Sequence, residues 1–236
     1  MLCLFCYFHL YLTLASLYTK LINRKGKRMW YWLLMGGVLL PILLFMKLNQ
    51  PKWLAASKLL FFCSLIGCLL VQPDVGRLPW LWSLSALVFF TFCYAVEECI
   101  PRYRILQLFF FSIACLCYSL NFWSQVETLS WSVAIASFAL VVVVFFLLLP
   151  LLDSFVLPAS MVALILWQLL WASGELWDQN HSLLNISGLL GTLLLSISVL
   201  IWELHYFRKP FKHSYGWIMC CYFSAHIFIV APLVLS

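Results

Sequence analysis

The sequence predicts an all-α protein, a polytopic transmembrane helix bundle of eight or nine spanning helices, and three observations carry that prediction. Of 236 residues, 65% are apolar and only 9% are charged, far from the balance of a water-soluble globular domain. Apolar runs long enough to cross about 30 Å of hydrocarbon recur along the whole chain. Runs such as SFALVVVVFFLLLPLL (137–152) do not alternate in polarity, as the roughly ten-residue strands of a transmembrane barrel would. No polar stretch is long enough to fold separately, so residues 1–236 read as a single integral membrane domain.

The candidate spans are 2–22, 29–46, 54–72, 79–97, 104–123, 130–150, 155–173, 183–206 and 215–235. The first, MLCLFCYFHLYLTLASLY, has no basic residue before Lys20 and no small-residue cleavage site, so a spanning helix is expected there rather than a removable signal. The breaks fall where Pro, Asn, Gln, Asp and Lys/Arg gather: NRKGKR, KLNQPK, QPDVGRLP, EECIPRYR, SQVETLS, LDSF and GELWDQNHS. The loops are short, so neighbouring helices should run antiparallel.

The formal charge of +6 comes largely from Arg24-Lys25-Lys27-Arg28 and Arg208-Lys209-Lys212. Two compact clusters suit juxtamembrane anchors and argue against nucleic-acid binding. Because cytoplasmic loops carry the Lys/Arg excess, RKGKR and FRKPFKH are both expected inside. Nine spans would leave them on opposite faces. Eight would reconcile them, if 98–130, interrupted by Pro101, Arg102 and Arg104, held no complete span. Trp30, Trp32, Trp53, Trp80, Trp82, Trp123, Trp131, Trp177 and Trp217 sit near the predicted ends, the pattern of an interfacial aromatic belt.

Ten cysteines are present, but Cys63, Cys68, Cys93, Cys115 and Cys117 lie inside apolar runs, where Cys packs as a small hydrophobe. Cys3/Cys6 is the only CxxC and has no partner pair, so neither a disulfide framework nor a metal site is expected, and no cofactor.

Ionisable groups at membrane depth are costly and by default functional candidates. Glu203 and His205 close one span and Glu97 and Glu98 another, where snorkelling to the interface is the commoner role. His226 is deeper. Tyr222 lies one turn before it on the same face, so the two could project inward together. Ser57, Ser64 and Cys68 share one face of the third span beside Gly67, a stripe of small residues suited to close helix packing.

GELW (174–177), GTLLLSISV (191–199), HYFRKPF (205–211) and CYFSAHIFIV (221–230), with Pro158 upstream, resemble in order and spacing the C-terminal part of the YhhN family of membrane proteins, which includes the lysoplasmalogenases. SLIGCLL (64–70) resembles the family's Ser-Leu-Leu-Gly-Asp segment, and LSALVFFTFCY (84–94) more weakly a pattern ending in a His three residues before a Tyr. KGKRMWYWLL (25–34) occupies the place of the family's Lys-Pro helix start. The resemblance runs through most of residues 25–236 and is most specific in the last third.

It implies eight helices, a bacterial cytoplasmic (inner) membrane with an internal eukaryotic membrane as the alternative, a lysophospholipid or lysoplasmalogen as membrane-lipid partner, and hydrolysis of a vinyl-ether bond to fatty aldehyde and glycerophospho-base. Such chemistry uses a proton donor and a carboxylate that activates water. The family's intramembrane aspartates are replaced by Cys68 and Val199, and its His by Thr91. Ser64, Gly67, Ser198, Tyr222 and His226 remain at matching positions, with Glu175, Glu203 and His205 nearby. A relocated site would use Glu203 or Glu175 as acid and His226 as base or orienting group, beside Tyr222. The alternative is a catalytically silent member that binds or senses lysolipids or scaffolds a membrane complex. A transporter ranks last, because the mid-span segments lack charges and breaks apart from Pro41, Gly36-Gly37 and Pro150.

Overall fold

The computed structural model describes residues 24–48, 50–71, 77–99, 102–152, 156–207 and 214–235. The expected first span at 2–22, the Cys3/Cys6 pair and residues 208–213 of FRKPFKH lie outside them. Over the described residues the chain forms eight α-helices and no strand. They are α1 (Arg24–Lys47), α2 (Pro51–Leu70), α3 (Arg77–Cys99), α4 (Arg104–Trp123), α5 (Trp131–Leu152), α6 (Val156–Asn180), α7 (Leu183–Phe207) and α8 (Ser214–Leu235). Each is long and apolar enough to cross a membrane. This is the all-α transmembrane bundle that composition predicts.

Local chemistry sets the helix ends. Pro51 opens α2, and Pro79 and Pro158 fall in the first turns of α3 and α6, where a missing N–H costs nothing. Ser182 accepts a hydrogen bond from the Asn185 N–H at 3.1 Å and caps α7. Between α6 and α7 the chain reverses in two residues, with His181 in the left-handed region (φ 44°).

One open point is decided and one expectation needs correction. Residues 104–123 form a complete helix, α4, packed along α3. The break expected at GELWDQNHS is displaced, because α6 continues through GELWDQN to Asn180. Glu175 ends no helix there, since both its carboxylate oxygens find donors.

The helices pack as antiparallel neighbours, most extensively α7 with α8 and α3 with α4. α8 is the hub: it also touches α1, α2 and α3, and 67% of its span is buried, against 11% for α5, which leans mainly on α6. Apolar contact alone does not draw helices together in lipid, so small residues and interhelical hydrogen bonds must do it. Gly191 of α7 lies directly on α8; a Cβ there would stand 2.7 Å from Ile229 Cγ1 and 2.8 Å from the Ala225 carbonyl oxygen. Nearby, Ser173 and Thr192 hydroxyls join α6 to α7 at 2.8 Å, and Tyr31 OH donates from α1 to the Ile227 carbonyl at 2.7 Å. Of the α2 stripe, Ser57 and Ser64 are buried with Gly67 beside them while Cys68 is half-buried, and each serine bonds a carbonyl of its own helix.

Gly191→Ala is expected to force α7 and α8 apart and destabilise the bundle by about 1–3 kcal/mol, read as a lower unfolding temperature in detergent. Gly36→Ala, at a position with nothing within 4 Å of the new Cβ, serves as the control and should leave that temperature unchanged or slightly raised.

Candidate functional site

One cavity of about 140 Å³ lies at the end of the bundle formed by the starts of α2, α4, α6 and α8 and the ends of α3 and α7. Its polarity is graded with depth. Glu97 is two residues from the end of α3, Gln107 three from the start of α4, and Glu203 four from the end of α7. Phe111, Val162 and Met219, seven, six and five residues into α4, α6 and α8, are apolar, and Phe111 is roughly 6 Å deeper than Gln107 at 1.5 Å per residue. Tyr222, Phe223 and Ser198 lie farther in.

The carboxylates at this end differ in their surroundings. Glu98 is 42% exposed and accepts a 2.8 Å hydrogen bond from Tyr94 OH. Glu97 and Glu203 are half-buried, line the cavity, and have no hydrogen-bond partner among the described residues. Glu203, a candidate acid in the sequence, thus lines the cavity. His205, two residues from the end of α7, instead ties that helix to α8 by a 2.6 Å contact between its Nδ1 and Ser214 Oγ.

Tyr222 and His226 share the inward face of α8, as their spacing requires, with ring centroids 4.7 Å apart. His226 does not line the cavity; it is fully buried, packed on Phe90 at 4.4 Å and Phe62 at 5.2 Å. Its Nδ1 lies 3.1 Å from Tyr118 OH, and its Nε2 has no partner among the described residues.

Glu175 is elsewhere. It stands 17 residues beyond the cavity-lining Pro158 on α6, about 25 Å along the axis. It is fully buried; Oε1 accepts from Trp171 Nε1 at 2.8 Å and Oε2 from the Ser130 N–H at 2.9 Å. Ser130 immediately precedes α5, so this carboxylate satisfies a donor at that helix start. Gln179 continues the clasp, accepting from the Glu127 N–H and donating to the Thr128 carbonyl. Glu175 thus fastens the α4/α5 connection to α6 and stands outside the cavity.

Of the family-motif positions, Ser198 and Val199 line the cavity. Ser64, Gly67, Cys68 and Thr91 do not: the hydroxyls of Ser64 and Thr91 bond Phe61 and Leu87 carbonyls in their own helices, Gly67 is buried and Cys68 half-buried. Sequence reasoning passed over Lys58. It is 2% exposed, lines the cavity, and sits over the Tyr94 ring at 4.9 Å. The available signal was that Lys58 is the one charged residue of the expected span 54–72. Glu97 was visible but set aside as interfacial.

Glu175→Ala is expected to lower the bundle's stability by about 1–3 kcal/mol, because two buried donors lose their acceptor; thermal unfolding in detergent checks this.

The sequence profile of the YhhN family matches residues 53–233, which takes in nearly all of α2 and α3–α8 and leaves KGKRMWYWLL and α1 before the matched region. The proteins called "Uncharacterized membrane protein YhhN" of Escherichia coli O6:H1, Escherichia coli O157:H7 and Shigella flexneri are each 27% identical over 139 residues, 58% of this chain and 66% of theirs. The match thus spans just under two thirds of the length of these curated relatives. No solved structure matches the chain. A family profile that runs across seven of the eight described helices of this membrane protein identifies the chain as a member of the YhhN family.

Proposed function

We propose that this YhhN-family membrane protein hydrolyses the vinyl-ether bond of a single-chain ether lipid, a lysoplasmalogen. The observation that carries the reading is that Glu97 and Glu203, from two different helices, line one cavity that is charged at the bundle end and apolar within. A lipid entering it buries its chain against Phe111, Val162 and Ile218 and leaves its enol-ether oxygen nearer the carboxyl groups. Glu203 gives a proton to the β carbon of the double bond, and the ether oxygen shares the resulting positive charge. Glu97 takes a proton from water as the water oxygen bonds to the α carbon. The hemiacetal then breaks its carbon–oxygen bond to glycerol, with the proton passing to that oxygen. Fatty aldehyde and the glycerophospho-base leave. Tyr222, on the deep side, orients the chain, and His226 supports Tyr222 from beneath.

A second reading rests on Val199, which lines the same cavity where the family places an aspartate. A cavity without that acid suits a silent member that binds or senses the lysolipid. One assay separates the two: aldehyde release from lysoplasmalogen by purified protein. The hydrolase reading expects Glu203→Gln to lower the rate by about 10²-fold or more and Glu175→Gln, far from the cavity, to leave it intact. Wild-type silence, with turnover appearing in Cys68→Asp/Val199→Asp, would hand the case to the silent binder.

The cavity end is assigned to the cytoplasmic side of a bacterial inner membrane. Its loops carry Lys47, Lys52, Arg102, Arg104 and the Arg208-Lys209-Lys212 cluster, more basic residues than RKGKR and Arg77 place at the other end. Cys99 is exposed at the cavity end. In a variant with Cys3 and Cys6 changed to serine, a membrane-impermeant thiol reagent should label Cys99 only after the cells are opened, and labelling of intact cells would reverse the assignment.

A further inference from the structure

We propose that Lys58 is the residue that selects the ligand of this cavity, by donating hydrogen bonds to a phosphate oxygen in the head group of a single-chain lipid. The proposal rests on the reading of the cavity as a lipid site, and goes beyond it in naming the group recognised and the residue that recognises it.

Lys58 behaves unlike its neighbours. Lys47 and Lys52 are exposed at the same end of the bundle, whereas Lys58 is 2% exposed and turned inward. A lysine with a four-carbon stem near a helix end normally reaches for water. Inside, it would be expected to spend all three N–H groups on close partners. It does not. Among the described residues its one hydrogen bond goes to Tyr215 OH at 3.2 Å, and its ion pair with Glu98 is 3.6 Å long, to a carboxylate that is itself 42% exposed. The Tyr94 ring lies against Nζ with its centroid at 4.9 Å. A buried cation, clamped in place and lining a cavity, has donors to spare for an anionic oxygen.

The cavity also says how that oxygen arrives. Glu97 and Glu203 line the same space, and two carboxyl groups disfavour a small free anion. A phosphate carried on an apolar chain is different: the walls at Phe111, Val162 and Met219 take the chain, and burial of about 0.8 kcal/mol per methylene draws the head group to the level of Lys58. The shared chemistry is a phosphate ester, and the source favoured is a lipid rather than a soluble metabolite.

The test uses the full chain purified in neutral detergent and isothermal titration with three probes: lauroyl lysophosphatidylethanolamine, monolauroylglycerol and glycerol 3-phosphate. None has a vinyl ether, so binding is read without turnover. Lys58→Met is expected to weaken the lysophospholipid by roughly tenfold or more and the uncharged monoacylglycerol by less than about twofold, with Lys58→Arg restoring most of the loss. Replacing a buried charge by an apolar chain of like length is compatible with folding, and Lys58→Gln gives a second neutral variant. Equal loss for both lipids would mean a structural lysine, and no loss for either would remove Lys58 from recognition; both overturn the proposal. Glycerol 3-phosphate binding as tightly as the lysophospholipid would overturn the lipid source. If wild type binds neither lipid, the lipid reading of the cavity falls and takes this one with it. Lys58-dependent binding without turnover of lysoplasmalogen leaves the proposal standing and removes only the hydrolase.

Discussion

In hydrocarbon, leaving lipid is no gain for an apolar side chain, and the bundle depends on the few places where helix backbones can come close. The contact of α7 with α8 at Gly191 is the tightest of these, with Ile229 and the Ala225 carbonyl standing where a side chain would be. It holds α8 in the middle of the bundle, where Tyr31 ties α1 to it through the Ile227 carbonyl. From that position α8 presents Tyr222 and Phe223 to the cavity and keeps His226 behind them in a shell of aromatic rings. A helix with less burial, such as α5, could not fix side chains from so many neighbours at once.

The charged groups follow a second constraint. Each described carboxylate near the membrane either finds donors or stays near a helix end. Glu175 takes the first course, accepting from Trp171 and from the start of α5. Glu97, Glu98 and Glu203 take the second, and antiparallel packing brings their three helix-end positions to the same end of the bundle. Lys58 comes to that end from α2, the neighbour of α3. The outcome is a cavity with Glu97, Lys58 and Glu203 on its wall.

Much of this was legible in the residues. Composition and unbroken apolar runs are sufficient for an α-helical membrane bundle, because no other backbone arrangement lets such runs satisfy their own hydrogen bonds in lipid. Helix starts at Pro51, Pro158 and Ser182 were marked by residue chemistry. The end of α6 was not, since Glu175 and Asp178 look like a break to a reader who cannot see the α5 start supplying a donor to Glu175. Similar reasoning explains the candidate site. Glu203 and Glu175 are both glutamates near a predicted helix end, and nothing in their local sequence separates the one that lines a cavity from the one that fastens a loop.

By itself, then, the sequence determined the class, the spans after the first basic cluster, the pairing of Tyr222 with His226 on one face, and the family, because all of these are written in periodicity and in local motifs. Only the tertiary structure decided that Glu97, Lys58 and Glu203 share a cavity while Glu175, Cys68 and Thr91 stand apart from it. That grouping depends on which helices are neighbours and how they are rotated about their axes, and in a chain where almost every face is apolar the hydrophobic pattern carries little information about either.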